Sequence, residues 1–473
     1  MSALIIALAG HANVGKTSLV SALTRDATLA VEEEAGTTRS YYLKTYELAG
    51  EEVLAFVDTP GFEFASRINR WLDAHGGEGS DRLDGRSALQ AFIEDEETTA
   101  RHDKEKEALQ GALAAHVVAY VADVVLAPEG QVVQEVRLLR RAGVPMIAVL
   151  NNLHSQSDSS DAWIEMLRRE GVDNIVRLDA LRFPAAQEAS FYTALGVMRP
   201  EHRETFARIE QLRATLDEQN LMRAAVTTAE TLVDCLSFQH VTTHGSEEEA
   251  KGYRSTANER FKVMLREREE AGFRAIADIY GFATAAVERD SLDVHSWSGA
   301  VRDDLFDPDS LRRYGLSAAT LAGVGALTGS LLDILGGLGV GTLIGGVSGA
   351  AAGLWLGRRV STSIDAGTLK VGPVDGVQFP AVLLNRAVDC WRQVARRSHA
   401  DRTEVQVSVT ETERLDPRWV QGLLRLARRC GRHPHWSHIG GQSTDPDRAK
   451  TVDAMTEVVE ELLRKQLAQL GPR

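Results

Sequence analysis

The chain has 473 residues, enough for two to four domains, and a formal net charge of −14, which argues against bare nucleic acid as its main partner. Cys235, Cys390 and Cys430 are scattered and odd in number, so a disulfide scaffold is excluded and a reducing compartment is expected. The chain starts almost at once on an apolar run, which sets the expectation of no secretory signal peptide and a cytoplasmic location.

That apolar run, Ala3–Ala9, predicts a buried strand. It leads into Gly10-His11-Ala12-Asn13-Val14-Gly15-Lys16-Thr17, which fits G-x-x-x-x-G-K-[ST], and Ser18–Leu23 then reads as a helix start. Strand, glycine loop and helix in this order make a phosphate cradle. Gly10 and Gly15 let the backbone curl, and the helix N-terminus adds partial positive charge. Lys16 is placed to reach β- and γ-phosphates, and the Thr17 hydroxyl to ligate Mg²⁺. Tyr41–Leu48 and Val53–Val57, joined through Ala49-Gly50-Glu51-Glu52, read as an antiparallel hairpin. The second strand ends in Asp58-Thr59-Pro60-Gly61. A carboxylate there can hold the metal through water, and the Gly61 N–H can sense a γ-phosphate. The polar stretch Gly36-Thr37-Thr38-Arg39 can order around Mg²⁺.

These residues resemble the small GTPases of the Era, TrmE and Der group, whose loop carries a similar N-V-G-K, first switch T-T-R and second switch D-T-P-G. The resemblance implies GTP and Mg²⁺ as cofactors. It makes Thr38, rather than Thr37, the switch threonine on Mg²⁺ beside Thr17 and Asp58. The implied catalytic set is Lys16, Thr38, Gly61 and Asn13. The implied nucleotide contacts are Gly10, His11, Ala12, Asn13, Val14, Gly15, Lys16, Thr17, Ser18, Thr38, Asp58, Gly61, Asn151 and Ala180. Asn13 matches the loop asparagine that in this group helps bind K⁺. Its other reading is a turn residue selected for backbone freedom, and both stay open. Phe62 stands where Ras-like enzymes keep the glutamine that orients the attacking water, which an aromatic ring cannot do. A nucleotide-gated scaffold with little hydrolysis is therefore the rival reading.

Val144–Leu150 predicts a strand, followed in guanine-specific members by N-K-x-D and here by Asn151-Asn152-Leu153-His154. Asn151 matches. Asn152 replaces the lysine, and His154 replaces the carboxylate that pairs with guanine; Asp158 is the nearest substitute, at the wrong spacing. Asp179-Ala180-Leu181, after the strand Asn174–Leu178, partly matches the family's S-A-K-like loop near the base. With His116–Ala122 these strands predict an α/β P-loop NTPase fold, a mainly parallel sheet with helices on both faces, over residues 1–195. An insertion at about 66–112 contains Gly76-Gly77-Glu78-Gly79 and a charged helix pattern, Arg86–Ala114. It adjoins the γ-phosphate sensor. It reads either as a relay of the nucleotide state or as a solvated surface helix, the usual meaning of a charge run.

Residues 196–310 read as a helical stalk or bundle from the runs Thr205–Leu236 and Glu247–Arg289, with Leu292–Asp309 as linker. Residues 311–360 form a Gly-rich apolar hairpin in which Gly337, Gly341, Gly345, Gly349, Gly353 and Gly357 recur every four residues. That row makes a helix face where another backbone can approach closely. Ile334–Gly357 would be roughly 36 Å long as a helix, against a bilayer core of roughly 30 Å. Asp333 would sit near the tip, and Arg312-Arg313 and Arg358-Arg359 would keep both ends on the cytoplasmic side. Membrane lipid through Gly315–Gly357 is thus an expected partner, at the inner membrane, and a packed helical pair in a soluble core is the alternative. Residues 361–473 read as a C-terminal helical segment, with helices at Pro380–Arg397, Pro417–Cys430 and Val452–Leu470 and a loop or short hairpin at Leu369–Phe379. Cys430, His433, His435 and His438 match no standard zinc spacing and read first as a polar turn. The whole layout resembles a bacterial family in which an Era-like GTPase domain is fused to a C-terminal domain of unknown function. The resemblance implies a Mg²⁺-dependent GTP switch governing a membrane-associating helical half. A soluble ribosome-assembly GTPase is a further alternative, disfavoured by the acidic charge; no direct nucleic acid is expected, and the protein partners are open.

Overall fold

Apolar strands alternating with helical runs in the first part of the chain form one six-stranded sheet in the computed structural model. The structure describes residues 3–25, 42–48, 51–75, 84–95, 102–153, 158–181, 185–282, 305–306, 359–376, 378–398 and 417–469. It divides into two units, Met1–Leu216 with Arg396–Arg402 and Pro472–Arg473, and Asp217–Ala395 with Thr403–Gly471.

The sheet of the first unit contains β1 (Leu4–Ala9), β2 (Tyr42–Leu48), β3 (Glu51–Asp58), β4 (Val117–Asp123), β5 (Met146–Asn151) and β6 (Ile175–Arg177), in the order β2-β3-β1-β4-β5-β6. β2 pairs antiparallel with β3, and the other pairings are parallel. Side chains alternate between faces along each strand. Leu4, Ile6 and Leu8 of β1, with Val117, Ala119 and Val121 of β4, pack under α1 (Lys16–Thr24) and with Phe191, Tyr192 and Phe206. Val118, Tyr120 and Ala122 face the other way, against Phe62, Phe92, Leu139 and Trp163. Burial on both faces explains why these strands read as near-continuous apolar runs. Each fully buried Leu or Phe contributes about 1.5–3 kcal/mol.

Within the predicted charged helix Arg86–Ala114 the described residues form α3 (Gly85–Glu94) and α4 (Asp103–Ala114), preceded by α2 (Ala65–His75). Asp84 starts α3 by accepting the Ser87 N–H at 2.7 Å. α4 is not a solvated surface helix: Glu105, Ala108, Leu109 and Ala112 are buried. Charge periodicity misled here because the charges lie around a buried stripe. α5 (Gly130–Arg140) and α6 (Ser160–Arg169) lie between strands, and α7 (Ala185–Met198) and α8 (Arg203–Ser237) follow β6.

The second unit is mostly helical, as predicted. α9 (Glu247–Ile279), α10 (Gln378–Arg396), α11 (Pro417–Gly431) and α12 (Pro446–Gln469) share a core with the 217–237 part of α8 through Leu236, Phe261, Trp391, Leu423, Met455 and Leu462. It also holds a small antiparallel sheet, β7-β9-β8, of His240–Thr243, Thr368–Asp375 and Arg359–Asp365. The four-residue β7 is too short for alternation to show against its helical flanks, and its partner β9 lies over a hundred residues on. The glycine row, Asp333 and the whole of 315–357 lie outside the described residues, as do Gly36–Arg39 and Gly76–Gly79. Among the described residues no helix is long and apolar enough to cross a membrane.

Candidate phosphate-loop site

β1 is flanked by β3 on one side and β4 on the other, so the chain reverses its direction of winding at the carboxyl end of β1. Ligands of open parallel sheets bind at such a switch point. The loop Gly10–Gly15 leaves β1 at this point and enters α1. Gly15 has φ +91°, and a Cβ there would stand 2.4 Å from Asn151 Nδ2. Asn13 has φ 62°, a left-handed conformation that asparagine tolerates better than most residues, in keeping with its reading as a turn residue.

Lys16 is buried, and its Nζ donates to the carbonyls of His11 at 2.8 Å and Gly10 at 3.3 Å. Burial lowers its pKa to about 8, and the negative charges of Asp58 and Glu135 oppose that shift. Asp58, buried at the end of β3, accepts the Thr17 hydroxyl proton at 2.6 Å through Oδ2. The register Leu8↔Asp58 puts that carboxylate beside the start of the loop. Thr59 Oγ1 donates to Leu8 O at 2.6 Å, holding the following turn to β1. Gly61 is where this turn meets the loop: a Cβ would lie 2.6 Å from Ala12 N. Phe62 follows, fully buried, with its N–H 3.4 Å from Gly10 O. The ring is a core side chain, so no hydrolytic role falls to it.

Asn151 ends β5 and joins two loops. Its Nδ2 donates to Val14 O at 2.8 Å, and its Oδ1 accepts the Ala180 N–H at 2.9 Å. The structure therefore brings Gly10–Ser18, Asp58, Gly61, Asn151 and Ala180 to one end of the sheet. Thr38 and His154 lie outside the described residues. Asp158 accepts the Ser160 N–H at 2.8 Å and so caps the start of α6. Ser398 Oγ donates to Ala180 O.

Sequence reasoning missed several groups around the loop. His11 Nδ1 stands 2.9 Å from Oε1 of Glu135, which is fully buried on α5 and accepts the Tyr120 hydroxyl at 2.9 Å. The hydrogen bond to Glu135 raises the His11 pKa; burial opposes it. Burial, then Glu135, pushes the Tyr120 phenol well above its ordinary value. Glu105 on α4 accepts the N–H groups of Glu63 and Phe64, each at 2.9 Å, just past the Gly61 turn. The legible signal was a carboxylate on the apolar side of each helix: Glu135 beside Val136, Leu138 and Leu139, and Glu105 four residues before Leu109. Their partners are 15 to 124 positions away in the chain.

In the second unit Cys430, His433, His435 and His438 do not converge. Burial pushes the Cys430 thiol up to about 11, His433 stacks on Trp436 with centroids 4.2 Å apart, and His435 pairs with Asp445 at 2.9 Å. Among the described residues no group of three or more His, Cys, Asp or Glu could hold a metal ion.

Residues 5–152 match the family model described as 50S ribosome-binding GTPase, and residues 165–460 match that described as Domain of unknown function (DUF3482). The chain is 34% identical over 105 residues to GTPase Der of Rhodopirellula baltica, covering 22% of this chain and 23% of that protein. It is 37% identical over 82 residues to GTPase Era of Acidimicrobium ferrooxidans, covering 16% and 28%. The chain thus spans under a third of the length of these relatives. Among solved structures, Aquifex aeolicus Era bound to GDP and AlF4⁻ matches 41% of this chain and 56% of that one, at 19% identity and TM-score 0.29. Era in complex with MgGDPNP and 16S ribosomal RNA matches 41% and 56%, at 19% identity and TM-score 0.30. The expectation of no direct nucleic acid does not stand, since GTPase Era, to which the chain is similar in sequence, is seen in complex with 16S ribosomal RNA. The expectation failed because net charge is summed over the whole chain, whereas a polyanion meets a local surface.

Proposed function

We propose, for a chain that belongs to the family described as Domain of unknown function (DUF3482), that its N-terminal unit binds GTP with Mg²⁺ and hydrolyses the β–γ phosphoanhydride as a switch for the C-terminal half. The observation that carries the reading is the pair formed by Lys16 and Thr17 at the loop. One is a buried cation resting on loop carbonyls, the other a hydroxyl 2.6 Å from a buried carboxylate. Thr17 and Asp58 offer hard oxygen donors of the kind Mg²⁺ takes, so the donor set fits the metal. Bound there, Mg²⁺ would neutralise charge on the phosphates. Lys16 would leave the two carbonyls for the phosphate oxygens, at a site where burial strengthens the attraction. Gly61, packed against Ala12, would offer its N–H to the γ-phosphate. The Glu105 hydrogen bonds at Glu63 and Phe64 would pass movement of that turn to α4. Asn151 would hold the phosphate loop and the Ala180 loop at a fixed separation.

Two finer parts rest on sequence. Asn13 and Thr38 support a K⁺-assisted reaction, with K⁺ supplying the charge that an arginine finger supplies elsewhere. The glycine row supports a membrane-associating hairpin. Phosphate release from GTP, in potassium and in sodium buffer, tests the enzyme. Mg²⁺-dependent turnover, faster in potassium and made salt-indifferent by Asn13→Ala, is expected. Tight GTP binding without release would favour a nucleotide-gated scaffold, and failure to bind any triphosphate would end the reading. With Asn152 and His154 in place of the lysine and aspartate, competition should show weak preference for GTP over ATP. Flotation with lipid vesicles tests the hairpin, and a lipid-indifferent protein would return it to a soluble core.

A further inference from the structure

Residues 417–444 contain five arginines, three histidines and no Asp or Glu, in a chain whose acidic residues outnumber its basic ones by 67 to 53. The structure concentrates that local excess. Arg425, Arg428 and Arg429 are exposed on α11, and Arg432 is exposed in the turn that follows. Positions i, i+3 and i+4 fall within an arc of roughly 100° at 3.6 residues per turn, so Arg425, Arg428 and Arg429 share one face of α11, and Arg432 follows in the turn. Leu423, Leu424 and Cys430 occupy the opposite, buried side.

None of these four arginines forms an ion pair among the described residues. Asp445, the first acidic residue after them in sequence, is engaged by His435 at 2.9 Å and by the Trp436 indole at 2.8 Å, and Asp416, the last one before them, lies outside the described residues. The α11 dipole accounts for only a fraction of the charge: a helix C-terminus carries about half a negative charge, against four full positive ones. Arg429 lies 5.5 Å from the Trp436 ring centroid, and His433 stacks on the same ring, so the end of the stripe is rigid. None of the large hydrophobic side chains exposed among the described residues lies in 417–445. A bilayer would want an apolar wedge beside the charge. A hydrated phosphate backbone needs none, and guanidinium forks suit it.

We propose that the arginine face of α11 and its following turn binds the phosphate backbone of RNA. The surface lies in the C-terminal unit and shares no residue with the nucleotide site.

The test is fluorescence anisotropy of a labelled single-stranded RNA of mixed sequence with the full chain, across a salt series. The variant Arg425→Gln/Arg428→Gln/Arg432→Gln spares Arg429 and changes only exposed side chains. It should bind at least about 10-fold more weakly, and its salt slope should flatten by about 2, on roughly 0.7 per neutralised phosphate for single strands. The triple lysine variant should keep most of the affinity, and with no nucleotide present Lys16→Ala should leave RNA binding unchanged, although it weakens triphosphate binding by about 100-fold. An unfolding transition like that of the unaltered protein confirms that the glutamine variant is folded. No RNA binding by the unaltered chain, or equal binding by the glutamine variant, would overturn the proposal. So would a glutamine variant that keeps RNA but no longer floats with phosphatidylserine vesicles, which would reassign the face to anionic lipid.

Discussion

Lys16 in the N-terminal unit and Arg386 in the C-terminal unit are both buried cations, held in different ways. Arg386 faces Glu269 through two hydrogen bonds, Nε to Oε1 at 2.7 Å and Nη2 to Oε2 at 3.0 Å, and both residues are buried. Asp234 is likewise enclosed, by Arg268 and Arg448 at 2.8 Å each and by the His438 N–H at 3.0 Å. These charges are neutralised within the fold. Lys16 has no such counter-ion: among the described residues it meets backbone carbonyls, and burial weakens its hold on its proton. A closed pair fixes the packing of two helices, whereas a buried cation on neutral acceptors keeps its capacity for an anion from outside. The contrast separates an ion pair that belongs to the architecture from one half of a binding site.

Breaking the closed pair should have the largest effect. Glu269→Ala removes the bidentate counter-ion of the buried Arg386, and should destabilise the C-terminal unit by about 3–5 kcal/mol. Urea unfolding measures this, and Glu269→Leu with Arg386→Met should recover most of the loss. A deficit under about 1 kcal/mol would mean water reaches the pair and would undo the comparison.

Lys16→Ala should do the reverse, sparing stability and weakening triphosphate binding by about 100-fold, since it removes a charge-assisted contact. Titration calorimetry beside the unfolding curve reads both. Unchanged affinity would mean Lys16 is as structural as Arg386.

A smaller effect belongs to Asp389 on α10, whose acid is pushed from 3.8 up to about 6 by burial, with Arg392 3.8 Å away opposing the shift. Its pKa is higher in the folded than in the unfolded chain. The stabilisation it brings is therefore complete below pH 3.8 and lost as pH rises through about 6. Asp389→Asn should thus stabilise the C-terminal unit by on the order of 1 kcal/mol at pH 7, after discounting for its partial exposure, and by nothing near pH 4. A gain that does not change with pH would trace the effect to packing instead.

Most of the first unit was legible because its strands are buried on both faces and announce themselves as apolar runs. The phosphate loop was legible because a tight turn before a helix needs glycine at set intervals. Asn151 was found from its place after a strand, but its double hydrogen bond to Val14 and Ala180 was not. The antiparallel sheet around β9 was readable only as a loop or hairpin, since β7 is separated from β8 and β9 by more than a hundred residues of chain. The arginine face of α11 was open to view as a run without acids and was obscured by the chain-wide charge.

The order of residues alone determined where the strands and helices start and which loop could cradle phosphate, because those depend on neighbours within a turn or two of chain. Tertiary structure decided that Glu135 sits beneath His11, that Glu105 holds the turn after Gly61, and that Lys16 is buried against loop carbonyls while Arg386 faces Glu269. Each of these depends on a partner 5 to 124 positions away, and the cost of burying a charge is set by which partner the fold brings to it.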